Sequence, residues 1–253
     1  MGYITGVWGS RLMLESYRYV QNENITVYYI GNDMRFVVEV KEEILYAYKE
    51  LENYFHLIDK GFSIRAIIAM NRREYNYISK MILKLRGNNE SKKSQVAITS
   101  KNDLLILSPF AYEEESTYTY DEYKLKKVIY SQVVHIFHEF LSLNSEVSST
   151  WIGQGIAMYL SGLWKEGEVK KVINEAIKKD MIPQLNEIQE NESLYKIWAW
   201  TIVKYIEENY GKETINKIIR NYDVDDIFNI LKCSIDDFEV QWKIWLKDEN
   251  NLS

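Results

Sequence analysis

Polar and apolar positions along the chain change period near its middle. Asn24 to Ile30, "NITVYYI", alternates polar with β-branched or aromatic residues, the period of a strand with one buried face. From there the spacing becomes helical. In "DMRFVVEVKEEILYAYKELENYFHLI" the residues Val38, Ile44, Leu45, Ala47, Tyr48, Leu51 and Tyr54 recur on one face of a long amphipathic helix, closed by a solvent-facing His56. "FSIRAIIAMN" is apolar enough without interruption to be a central strand. "REYNYISKMILKL" reads as a short helix and "RGNNESKKSQ" as a loop. Next come two strands, "QVAITS" and "DLLILS", joined by "KND" as a turn. The stretch "PFAYEEESTYTYDEY" has no period and reads as a solvated acidic loop.

From Asp121 onward every segment is helical in pattern, beginning with "DEYKLKKVIYSQVVHIFHEFLSL" and "SSTWIGQGIAMYLSGLW" and ending with "SIDDFEVQWKIWLKD". Ser149 and Ser234 stand where helix N-caps are needed, the latter with Asp237 three residues on. The predicted class is α+β: an α/β N-terminal subdomain with a small mixed sheet, then a mostly helical subdomain. The expected divisions are an N-terminal extension at 1–23, an α/β subdomain at 24–162, a helical subdomain at 163–248 and a tail at 249–253.

Composition narrows the function. Thirty-one Lys and Arg against 37 Asp and Glu give a net charge of −6, which removes the general electrostatic case for nucleic acid or an anionic membrane. Twenty Tyr and 7 Trp beside only 2 Pro describe aromatic packing between long helices. A single cysteine, Cys233, excludes an internal disulfide and a Cys-rich zinc knuckle, and its apolar neighbours suggest a buried small side chain. No apolar run approaches the length of a membrane span and the first residues lack signal-peptide features, so the expected compartment is the cytoplasm by default, an extracytoplasmic one staying open.

Two of the three histidines fall in "VVHIFHEF", Val133 to Phe140. "HIFHE" has the length of the zinc-peptidase signature His-Glu-x-x-His, in which two histidines one helical turn apart hold the metal and the glutamate activates water. His135 takes the first ligand position, Glu139 stands in place of the second histidine, and Ile136 in place of the base. A carboxylate can bind zinc, so His135 and Glu139, at i and i+4, are the candidate metal pair. Isoleucine accepts no proton. Starting the register at His138 gives "HEFLS", with Ser142 at the second ligand position.

Twelve residues past Glu139, "WIGQGIAMYLSG" resembles the Trp-Leu-x-Glu-Gly-x-Ala-x-Tyr helix of gluzincin-type zinc metallopeptidases, the peptidase-MA-like group of the MA clan. Trp151, Gly155, Ala157 and Tyr159 match, and Gln154 occupies the position of the family's third zinc ligand. "LLILSPF", "IPQLNEI", "YKIWAWTIVKYIEENYG" and "EVQWKIWL" extend the resemblance over about Asn24 to Asp248. The resemblance implies a gluzincin-like (zincin) fold whose former cleft is lined by Trp151, Gly155 and Tyr159. The metal positions would be His135 and Glu139, with His138 and Gln154 as secondary candidates. Small residues such as Gly155 would let this helix approach the one that bears His135.

Base and ligand positions are altered together, so the expected protein is catalytically degenerate, without a cofactor, and captures an extended peptide or a protein partner along the edge strand "QVAITS". The alternative is an atypical zinc metallohydrolase using His135, Glu139 and a loop carboxylate such as Glu114 or Glu115 as base. A partner-scaffolding protein with no small ligand is a third reading.

Overall fold

A computed structural model describes residues 16–31, 34–57, 61–81, 83, 90–117, 119–142, 151–220 and 224–248. The chain divides into two units, Met1–Ile136 and Phe137–Ser253, and the division falls inside a helix. The expected cap at Ser149 lies outside the described residues.

The first unit is built on a five-stranded mixed sheet in the order β1-β2-β3-β5-β4. Its strands are β1 (Arg18–Gln21), β2 (Ile25–Tyr29), β3 (Ile64–Ala69), β4 (Ala97–Ser100) and β5 (Asp103–Leu107). β2, β3 and β5 run parallel, and β1 and β4 are antiparallel edges. β1 lies within the expected N-terminal extension, which therefore begins the sheet: four residues are too few to show a period that would mark a strand. The central strands β3 and β5 are buried almost throughout, while β2 alternates buried and half-buried, as strands covered on two faces and nearer an edge should. Arg65 and Asp103, opposite each other in the register, form a two-pronged ion pair at 2.7 and 2.6 Å.

Helix α1 (Met34–Tyr54) crosses from β2 to the parallel β3 and packs along β2. Its buried side is formed by Phe36, Val37, Val40, Ile44, Ala47 and neighbours. Val38, expected inside, is exposed, because the stripe of seven apolar positions runs from Phe36 and leaves Val38 on the outer flank. His56 is exposed and closes the helix with a left-handed φ of 49°. Helix α2 (Arg72–Met81) covers the sheet face that carries Ile67, Ala69, Leu105 and Leu107, through Tyr75 and Ile78.

The stretch expected to be a solvated loop starts instead with a 3-10 turn, Pro109–Ala111, and a short helix α3 (Tyr112–Glu115). Ala111 and Tyr112 belong to the core cluster beneath α2. A proline at the first turn position and one large ring to bury explain how a segment without periodicity becomes ordered.

Helix α4 (Glu122–Leu141) bridges the two units in sequence. The second unit then adds α5 (Trp151–Ser161), a 3-10 turn at Leu163–Lys165, α6 (Gly167–Lys178), α7 (Leu185–Glu190), α8 (Glu192–Tyr210), α9 (Lys212–Arg220), α10 (Val224–Leu231) and α11 (Ile235–Leu246). α7 occupies "IPQLNEI", which has too few residues for a helical period to be read. It is started by a reciprocal cap in which Gln184 and Glu187 exchange backbone hydrogen bonds. α8 is the centre of this unit: residues 198–206 are buried on all sides, and α5, α7, α9 and α11 pack on it. Trp164 stacks on Trp200 with centroids 4.6 Å apart, and the indole of Trp242 donates to Thr201 at 3.2 Å. The expected cap Ser234 accepts from the backbone N–H of Asp237 at 3.1 Å. Cys233 is half-buried instead of buried, and the Tyr210 hydroxyl donates to its sulfur at 3.8 Å. No described helix is long and apolar enough to cross a membrane.

Candidate functional site

α4 carries the residues on which any chemistry would rest. Its first half is held against α1: Lys126 bridges Glu43 at 3.1 Å and Glu122 at 3.0 Å, and the rings of Tyr46 and Tyr130 lie 6.4 Å apart. Burial beside Glu50 raises the Tyr130 hydroxyl well above its ordinary value, which keeps it a neutral proton donor.

Downstream on the helix, the 100° step between residues separates two faces. Val133, Val134, Ile136, Phe137 and His138 are buried. Gln132, His135, Glu139 and Ser142 are half-buried and recur at helical spacing, so they form one polar stripe. His135 and Glu139 therefore share a face, as their spacing predicts. His138 lies on the buried flank, 1% exposed. Ile136, at the position of the signature's glutamate, is fully buried. Gln132 had no mark in the sequence, since glutamine at a helix position is uninformative until the buried face is known.

Gln154, Trp151, Gly155 and Tyr159 all lie on α5, and Gly155 and Tyr159 each have a local explanation. Trp151 is buried and its indole N–H finds no partner among the described residues. Gly155 is where α5 meets α8: a methyl group there would stand 2.7 Å from the carbonyl oxygen of Ala199 and 3.0 Å from its Cβ. The close neighbour of Gly155 is thus the helix bearing Ala199, where the sequence had suggested the helix bearing His135. The Tyr159 hydroxyl donates to the Glu207 carboxylate, and burial together with that acceptor raises it far above its ordinary value. Gln154 is half-buried between buried neighbours.

Do these donors fit zinc? A hydrolytic zinc site takes three protein ligands from histidine, cysteine or carboxylate side chains and leaves a fourth position open. The polar stripe supplies one imidazole and one carboxylate, and a neutral glutamine brings no charge against the dication. Among the described residues no group of three or more His, Cys, Asp or Glu side chains is placed to hold a metal ion. Among the described residues the donor set falls short of the three ligands of a hydrolytic zinc site.

Of the two loop carboxylates considered as a base, that of Glu115 is engaged in the fold. Glu115 accepts the backbone N–H of Arg72 at the start of α2. The Arg72 guanidinium in turn donates to the carbonyl of Glu115 at 2.8 Å, to those of Lys93 and Gln95, and to the Ser91 hydroxyl at 3.1 Å. Asn76 accepts from the Ser91 backbone N–H at 3.0 Å. Glu114 is exposed and its carbonyl accepts from the Lys93 ammonium at 3.4 Å. Together these bonds clasp residues 91–95, which lead toward edge strand β4. The clasp was not anticipated, although its local signal was there: "NRRE" starts α2 with Asn71 accepting from the Glu74 N–H at 2.9 Å, an Asn-x-x-Glu start.

β4 itself pairs with β5 on one side through a hairpin whose loop is Lys101 and Asn102. All four of its residues are half-buried, and it ends the sheet. An edge strand offers unpaired N–H and C=O groups to an incoming extended chain.

No family model and no curated protein matches the chain.

Proposed function

We propose that the protein is a catalytically degenerate zinc-metallopeptidase-like protein, of gluzincin type, that works as a non-catalytic scaffold for an extended peptide or a protein partner. The observation that carries this reading is Ile136: the position at which the signature needs a proton acceptor is an aliphatic side chain in the core. Losing such a base costs a hydrolase several orders of magnitude in rate. Capture would use the edge of β4 that no other described strand pairs, where backbone hydrogen bonds provide affinity without any reacting group.

A second reading, an atypical metallohydrolase through His135 and Glu139, is favoured by their shared helical face and weakened by the short donor set. The test is to present purified protein with a diverse library of extended peptides while recording backbone amide resonances. Binding that shifts Ala97 to Ser100 and leaves every peptide intact is expected. Cleavage that His135→Ala abolishes would install the second reading, and the absence of binding would remove the first.

A further inference from the structure

The register of the sheet sets one polar residue from every strand in a single row. Gln21 pairs with Thr26, Thr26 with Arg65, Arg65 with Asp103 and Asp103 with Ser100, so the row crosses β1, β2, β3, β5 and β4 without a break. Residues in register stand on the same face, as do residues two apart on one strand. Arg65 and Asp103 therefore share the face of Ile67 and Leu105, which α2 covers through Tyr75 and Ile78. That cover stops short of the row, where Gln21 is exposed and Thr26, Arg65, Asp103 and Ser100 are half-buried. The neighbouring row begins with Tyr19 and Tyr28, in register and with rings 5.8 Å apart, and runs into the core at Ile67. Tyr19 is 61% exposed, so an aromatic ring borders the polar row at its β1 end.

The chemistry of the row selects among ligands. Its one cation and one anion are spent on each other, Nε and Nη2 of Arg65 donating to the two carboxylate oxygens of Asp103 at 2.7 and 2.6 Å, so the row is electrically neutral. A charged ligand would have to break that pair. The pair still offers guanidinium N–H groups and carboxylate lone pairs, and Gln21, Thr26 and Ser100 each carry both a donor and an acceptor. Ligand hydroxyls, donors and acceptors at once, match such a row. Strands lie about 4.8 Å apart, so five side chains extend it over roughly 19 Å. The spacing is close to the length of one sugar ring in an extended β-1,4-linked chain, and the apolar face of such a ring stacks on an aromatic side chain. We infer that Gln21, Thr26, Arg65, Asp103 and Ser100, with Tyr19 as the stacking ring, bind an extended, neutral, β-1,4-linked saccharide chain. The site uses the face of the sheet and not its edge, so it is independent of peptide capture at β4.

The test titrates cellohexaose and chitohexaose into the intact chain while backbone amides and the Arg65 Nε–H are recorded. At least one of the two is expected to move Gln21, Thr26, Arg65, Asp103 and Ser100 together. Tyr19→Ala is expected to weaken that binding at least about tenfold, the order of loss when a stacking ring is removed from beneath a flat ligand. Tyr19→Trp keeps a ring and should keep the affinity, which separates lost stacking from lost fold. Maltohexaose, whose α-1,4 links coil the chain, is expected to bind more weakly, and equal binding would overturn the extended ligand. A preference for hexagalacturonate would overturn its neutrality and show Arg65 released from Asp103. Shifts of the row that follow protein concentration without sugar would assign the face to a second copy of the chain and overturn the proposal. So would silence toward both β-1,4 chains at millimolar concentration.

Discussion

In Val133–Phe140 buried and half-buried positions alternate around each turn, whereas in Trp151–Ser161 eight of eleven positions are buried. The two stretches hold the two parts of one resemblance, and they differ in what each side chain is for. Around Trp151 the matching residues are accounted for by packing: Gly155 by the carbonyl of Ala199, Tyr159 by Glu207. Around His135 the positions that matter to a hydrolase are those where the match fails. Where packing alone accounts for a residue, as at Gly155, its match to a motif does not report on chemistry, because a close helix contact constrains residue size as firmly as a reaction constrains residue type.

The difference can be sharpened by substitution. The largest effect is expected from Ile136→Glu, which returns the signature's glutamate to a fully buried position. A carboxylate there must either ionise in the core or stay protonated far from its ordinary range, at a cost of about 4 kcal/mol or more. Urea unfolding should show that loss, with no peptidase activity gained. A stable variant that cleaves peptides would show that the face containing Ile136 is a cleft.

Next comes Gly155→Ala, which gains helix propensity but puts a methyl group against backbone. Overpacking should win, with a net loss of about 1–3 kcal/mol in thermal or urea unfolding. Arg72→Ala should cost about 2 kcal/mol by leaving carbonyls of Lys93, Gln95 and Glu115 without a charged donor. Its distinguishing sign is local: amide hydrogen exchange should quicken from Val96 to Ser100 before it does in β3.

A pH titration separates packed tyrosines from exposed ones. Tyr17, Tyr75, Tyr130 and Tyr159 have their hydroxyls raised, chiefly by burial, above the ordinary value of about 10. Folding thus favours their neutral form. The stability this adds is complete below pH ~10 and is lost as pH rises toward the folded-state values. Phenolate absorbance should show these four tyrosines ionising only together with loss of the near-ultraviolet dichroism. The smallest effect is expected from His135→Ala: on a half-buried stripe it should change stability by about 0.5–1 kcal/mol at most.

Legibility in the sequence followed the length of each pattern. α1 and α8 repeat their apolar face over five or more turns, and β3 is a continuous apolar run, so their existence and type were evident. β1, α3 and α7 were not, since four to six residues hold too little of any period. The i, i+4 pairing of His135 with Glu139 could be read from spacing. That His138 is buried could not, because it depends on which flank of α4 meets the core. The Arg72 clasp joins residues 19 to 43 positions apart, and the partner of Gly155 is 44 positions away, separations that a single sequence does not encode in any local pattern.

Zinc titration of metal-stripped protein by calorimetry, with His135→Ala alongside, tests the proposal of a degenerate site most directly. Two donors on one helical face should give no tight stoichiometric binding, and the two proteins should behave alike. One-to-one binding in the wild type that disappears in His135→Ala would contradict that account and make "HIFHE" a working metal site.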